Sequence, residues 1–318
     1  MIAALLALAL SASAPPAQSA QSAAPVPEDQ AVRLEDIQVS GRRLDDLIQS
    51  FVSEVAAPNR GRGIARWDRS VCVGAVNLRR EAAQYLVDRV STVAEDLGLS
   101  PGDPGCTPNL LIVATADGDA FARELVERRR RALRMGGSGM DRGAAALRDF
   151  QETSRPVRWW QVSMPVDSET GQRAVRLPGD GEDNGAKGSA FNYAPKVSVF
   201  AASRLTTQIV DNIFRAIIVV DVSKTGAVNS EQLADYIAMV SLAQIDPTAD
   251  TSAYASILNV FNDPSSAPSL TEWDKAYLNG LYDAQRTRQN VRAGKSEIQS
   301  SIRRAHARLA DETPPTTD

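Results

Sequence analysis

The chain of 318 residues contains one histidine, His306, and that count removes most routes to catalysis. A Ser/His/Asp or Cys/His relay needs an imidazole as its base, so any such relay would draw on His306. Its setting, "RRAHARL", is that of a solvated helix face. A zinc site built from several histidines is excluded by the same count. Ser138 lies in "MGGSGMDRG", where Met140 occupies the last position of a G-x-S-x-G elbow, and the stretch lacks the G-x-x-x-x-G-K-[ST] pattern of a phosphate cradle, so it is expected to be a turn. "DGEDNG", Asp180 to Gly185, resembles a calcium loop but places Glu182 and Phe191 where ligands are needed, which predicts a loop without metal. What remains is a carboxylate site, with Asp235 and Asp246 as its candidates. Cys72 and Cys106 lack C-x-x-C spacing and are expected to form a disulfide, whose loop closure stabilises the fold by about 3 to 4 kcal/mol in the chain-entropy picture.

Composition bounds the setting. Apolar residues make up 43% and charged residues 23%, with a net charge of −4, which fits a globular chain and argues against a general nucleic-acid binder. "MIAALLALALSASA" supplies an apolar run followed by small residues, too short to span a bilayer but fitting a secretory leader over residues 1–24. An Ala-, Pro-, Gln- and Ser-rich linker over 25–35 follows. No later run reaches membrane-spanning length. With the paired cysteines, these features predict a periplasmic or secreted protein.

Elements follow from periodicity. "LDDLIQSFVSEVAAP" puts Leu44, Leu47, Ile48, Phe51, Val52 and Val55 on one helical face. "VCVGAVNL" and "NLLIVAT" read as buried strands, each followed by a helix, "REAAQYLVDRVSTVAEDLGL" and "DGDAFARELVERRRRAL", the latter capped by Asp117 or Asp119. This alternation implies a right-handed crossover and a parallel strand pair. "VRWWQVSMPVD" and "KVSVFAASRL" are expected as strands, "TTQIVDNIFR" as a short helix and "AIIVVDVS" as a buried strand. Trp159 and Trp160 must face opposite sides of their strand, one in the core and the other available to a ligand groove. A further helix, "EQLADYIAMVSLA", is opened by Ser230. Between Arg286 and Arg308 lie seven Lys or Arg against one Glu, a basic C-terminal helix able to touch an anionic envelope surface.

From Ala216 to Ala284 the order "AIIVVD", "LADYIAMVSLA", "SILNVF", "LTEWDKAYLNGLY" resembles the catalytic half of metzincin-type zinc peptidases. That resemblance implies an edge strand at "AIIVVD", an active-site helix, a turn and a closing helix. On this frame Asp235, Tyr236 and Met239 stand where the family has the first histidine, the glutamate and the second histidine of H-E-x-x-H. Leu258 stands for the methionine of the turn, and Asp274 and Tyr282 match the closing helix. Met239 offers only a thioether, and Tyr236, with an ordinary pKa near 10, is a poor general base. The motif is therefore degenerate, with no metal or cofactor expected and no catalytic residue assigned.

The expected fold is α/β, with α+β as the alternative: a mixed, partly parallel sheet flanked by helices, zincin-like in its C-terminal half. It forms one domain over 36–284, followed by the basic helix and a disordered tail over 285–318. The expected function is that of an exported binding or scaffold module for a protein or peptide partner. The alternatives are a hydrolase with a non-standard carboxylate or serine site, and an adaptor to an anionic surface.

Overall fold

A computed structural model describes residues 41–135, 139–175, 177, 197 and 205–312. The leader, the linker, Ser138, the Asp180–Gly185 loop, nearly all of the expected strand "KVSVFAASRL" and the end of the tail lie outside these residues.

Four strands make the main sheet, in the order β2 (Val73–Val76), β4 (Leu110–Thr115), β6 (Ile209–Asp221), β5 (Val157–Asp167). β2, β4 and β6 are parallel, and β5 runs antiparallel to β6 along one edge. The helices are α1 (Gly41–Glu54), α2 (Arg80–Asp96), α3 (Gly118–Leu133), α4 (Gly143–Glu152), α5 (Ser230–Leu242), α6 (Glu272–Asp283) and α7 (Val291–Glu312). One face of the sheet buries Leu110, Ile112, Trp159, Ile218 and Val220 among residues of α1, α2, α5 and α6. The other buries Trp160, Val162, Met164 and Val219 against α3 and α4. The protein is a mixed α/β fold with a largely parallel sheet between two helical layers, and its parallel strands are the continuous apolar runs that double burial requires.

Several local expectations are corrected. "VCVGAVNL" is two strands, because the chain breaks at Cys72: β1 (Ser70–Val71) pairs in parallel with β3 (Ser100–Pro101), while β2 joins the main sheet. The Asn109 side chain accepts from Cys72 N at 2.8 Å and its own amide donates to Cys72 O, so the break is hydrogen-bonded. Cys72 and Cys106 form the expected disulfide. Most of "TTQIVDNIFR" is strand rather than helix, since Ile209 onward extends β6 to 13 residues against an 11-residue partner. The β-branched Ile209, Val210 and Ile213 suit a pleated strand better than a helix. α4 was not anticipated; its signal is the spacing of Leu147 and Phe150, both buried.

Trp159 and Trp160 do face opposite sides, but both are buried, at 8% and 3% exposure, and each indole N–H donates to a backbone carbonyl, Ile245 O and Leu133 O. His306 is not on a solvated face. It is 7% exposed, on the side of α7 that carries Ile298, Ile302 and Ala305. α7 packs closely on α6: a Cβ added at Gly280 would stand 2.4 Å from the Ile302 Cα. No helix among the described residues is long and apolar enough to cross a membrane.

Candidate functional site

The helix that carries Asp235, Tyr236 and Met239 begins at a capping box. Asn229 Oδ1 accepts from the amides of Glu231 and Gln232, and Gln232 Oε1 accepts from Asn229 N. The cap is Asn229 and not Ser230, which is the first helical residue. Both types cap well, and the reciprocal Gln232 three positions on selects Asn229. Ten of the 13 residues of α5 are buried, so it lies inside the domain on nearly all sides.

Asp235 is wholly buried. Arg89 of α2 grips it bidentately, Nε to Oδ1 at 2.5 Å and Nη2 to Oδ2 at 3.0 Å, and Leu270 N donates to Oδ2 at 2.7 Å. The hydrogen bond to Asp235 holds the Arg89 guanidinium above its ordinary pKa. A carboxylate so enclosed by donors has no face left for substrate or water. Met239, one turn on, is also fully buried and is part of the apolar core, the role expected of a flexible gap-filler. Tyr236 sits with its ring 4.8 Å from Phe261 and 6.2 Å from Trp159, edge-on to both. Burial pushes its phenol well above the ordinary range. It therefore stays neutral at physiological pH and cannot act as a general base.

The closing helix is tied to the turn and to α5. Asp274 accepts from Ser256 Oγ at 2.6 Å, Ile257 N at 2.8 Å, and Thr271 N and Oγ1 at 3.0 and 2.8 Å. One carboxylate thus closes the capping box of α6 and holds the 3-10 turn Ile257–Asn259 in place. Tyr282 donates its hydroxyl to Leu242 O at 2.8 Å, pinning the last turn of α5.

Between α5 and β5 lies a groove of about 160 Å³. Tyr236, Leu258 and Phe261 line it on the α5 side, and Pro156, Val157 and Trp159 on the β5 side. β5 is the edge of the sheet. Asp221 N donates to Pro156 O at 2.8 Å, which fixes the parity of this antiparallel pair. The backbone groups of Arg158, Trp160 and Val162 turn toward β6, and those of Val157, Trp159 and Gln161 turn to the outer edge. Among the described residues no backbone hydrogen bond reaches those three outer positions, yet all three residues are buried, so this edge is covered rather than open. Arg142 and Asp246, paired at 2.8 Å, stand beside this edge. Burial works against the Asp246 charge, but the Thr248 hydrogen bonds and Arg142 hold its carboxyl below the ordinary range.

A second polar cluster lies where β4 and β6 end, and sequence reasoning missed it. Lys224 Nζ contacts Asp119 Oδ2 at 2.8 Å and Asp221 Oδ2 at 3.0 Å, Gly118 N donates to Asp221 Oδ2, and buried Arg158 pairs with Asp119. Asp117 caps α3, which leaves Asp119 free for this network. Two carboxylates face two cations, so the cluster is internally neutral. Its only local signal is the i,i+3 spacing of Asp221 and Lys224. Among the described residues no group of three or more His, Cys, Asp or Glu side chains is arranged to hold a metal ion. The chain matches no protein-family model, no curated protein and no solved structure.

Proposed function

We propose that this chain is an exported, non-catalytic binding module on a degenerate zincin-like frame, and that it takes a peptide side chain in the groove walled by Tyr236. The observation that carries this is the filling of the motif positions: Asp235 is consumed by Arg89 and Leu270, Met239 lies in the core, and Tyr236 forms the wall of a groove. The frame is supported by the order of β6, α5, turn and closing helix, and by the grip of Asp274 on that turn, although β6 lies inside the sheet and not at the edge where the family has its strand. Export is supported by the apolar leader and by the Cys72–Cys106 disulfide. The groove has room for one side chain of a bound peptide.

Neither alternative gains support. Asp235 and Asp246 have separate partners, Arg89 and Arg142, and Asp235 has no exposed surface for a substrate. On the basic helix, Arg303 pairs with Asp45, Arg308 with Asp283, and Arg288 and Arg304 with Glu297, which leaves few free cations for an anionic surface.

The test is selection from a random linear-peptide library, followed by amide chemical-shift mapping. Enriched peptides are expected to shift the amides of the groove residues Tyr236, Leu258 and Phe261 and to lose binding when their anchoring side chain is replaced by alanine. Absence of enrichment, or shifts confined to other surfaces, would count against the proposal.

A further inference from the structure

A cavity of about 200 Å³ lies on another part of the molecule, between the Gly61–Arg66 segment, the start of β6, the end of α6 and the first turns of α7. Its described lining carries five cationic side chains, Arg62, Arg66, Arg286, Arg288 and Lys295, and one carboxylate, Asp211. We propose that this cavity is a binding site for a phosphate-type oxyanion.

The charge there is not cancelled from within. Arg66 spends its Nη1 on the carbonyl oxygens of Leu281, Tyr282 and Ala284, and Arg286 its Nη2 on Asp211 O and Asn212 Oδ1. These acceptors are neutral, so Arg66 keeps its positive charge beside the cavity, while Arg286 has a loose ion pair with Asp68, Nη1 to Oδ1 at 3.6 Å. Burial, with the positive charge of Arg286 as the next cause, brings the Arg66 guanidinium down to about 10, and burial also lowers Arg286. The Arg66 shift marks a buried cation beside another, whereas the Arg286 shift is one of burial alone, with Asp68 and Asp211 acting in the opposite direction. Asp211 forms a loose ion pair with Arg62, Oδ1 to Nε at 3.4 Å, without a hydrogen bond, and Arg62 Nε is buried without a hydrogen-bond partner. Lys295 has no ion pair or hydrogen bond to any described residue. Arg288 is matched by Glu297 at 2.7 Å, and Arg62 and Arg286 have looser ion pairs with Asp211 and Asp68, so among the described residues five cations face three carboxylates.

The shape fits the same ligand. Asn290, Val291 and Gly294 bring the amino end of the 22-residue α7 to the cavity wall, where the helix dipole favours an anion. Gly294 presents no side chain, and a Cβ added there would meet nothing within 4 Å, so the wall stays open. The volume is below the roughly 300–1,000 Å³ of sites that take drug-sized ligands. It suits a single oxyanion, which Arg62 and Lys295 would meet with charge-assisted hydrogen bonds.

The experiment measures binding of inorganic phosphate to the leader-free protein by calorimetry and by thermal shift, at ionic strength held constant with sodium chloride. Saturable binding with a rise in Tm is expected. Arg62→Gln and Lys295→Gln, each verified as folded by circular dichroism, are each expected to weaken it at least tenfold. Line broadening of the phosphorus resonance of phosphate gives a second readout on the unmutated protein. Flotation with phosphatidylglycerol vesicles, against phosphatidylcholine vesicles, distinguishes the source. Phosphate-competed flotation assigns the oxyanion to a lipid headgroup, and phosphate binding without flotation assigns it to a free anion. No phosphate-dependent response beyond the salt control, or a response unchanged in both variants, would overturn the proposal.

Discussion

The Asp274 carboxylate accepts the Ser256 hydroxyl at 2.6 Å across 18 residues, with both groups fully buried. The same carboxylate takes the Ile257 amide, so the turn after α5 is positioned by the closing helix rather than by its own sequence. Asp274→Ala would leave the Ile257 and Thr271 amides and the Ser256 hydroxyl without their acceptor in the interior, while the Thr271 hydroxyl keeps Ala255 O. A loss of about 3 kcal/mol or more is expected, measured as a fall in the urea midpoint with an unchanged m-value. Ser256→Ala removes one of the four donors and should cost about 1 kcal/mol.

Arg89 and Asp235 join α2 to the helix that bears the motif positions. Arg89→Ala strands a carboxylate with 0% side-chain exposure, but Arg89 itself is 33% exposed and water reaches the gap. The expected cost is about 2–3 kcal/mol, toward the low end for a broken buried pair. The double change Arg89→Met with Asp235→Leu should cost less than Arg89→Ala alone. A denaturation double-mutant cycle checks this, and additive losses would show that the pair does not couple.

The C-terminal helix is held by Gly280, where only hydrogen fits against the Ile302 backbone. Gly280→Ala should lower stability by about 1–3 kcal/mol through overpacking, despite the better helix propensity of alanine. Faster hydrogen exchange along Ile298–Ala305 would mark the loosened contact, and a stabilised variant would refute it.

Burial lowers the folded-state pKa of His306 below its ordinary 6.5, with Glu272 acting in the opposite direction. The unfolded chain then binds the proton more readily. The stabilisation is complete above about pH 6.5 and is lost as pH falls through that value toward the folded pKa. Burial raises the Asp211 and Asp274 carboxyls, whose protonation favours the folded state and runs with the opposite sign. Comparing Tm at pH 7.5 and 5.5 between the parent and His306→Gln cancels those contributions. The parent should lose more stability on acidification than the variant.

The layered fold was legible where burial is local and continuous. "NLLIVAT" and "AIIVVDVS" are apolar runs that only a doubly covered strand accommodates, and both lie in the central parallel pair, β4 and β6. Leu44 to Val55 read directly as a buried helical face. Errors arose where a distant partner decides. "QIVDNIFR" places Ile209, Val210, Ile213 and Phe214 at helical spacing, and only the length of β5 makes it strand. "RRAHARL" is polar by count, yet α6 covers one side of it and buries His306. The candidate site was half legible for the same reason. Asp235, Tyr236 and Met239 were identifiable as motif positions, whereas the partner that consumes Asp235 lies 146 residues away in sequence. No local pattern announces such a pair.

Elemental mass spectrometry of the purified, untagged, leader-free protein, after incubation with zinc and exchange into metal-free buffer, tests the central claim most directly. With Asp235 held by Arg89 and Met239 in the core, zinc is expected far below one equivalent. One equivalent of retained zinc, lost on Asp235→Asn, would mean that α5 opens to present a ligand, and the assignment of this domain as non-catalytic would be wrong.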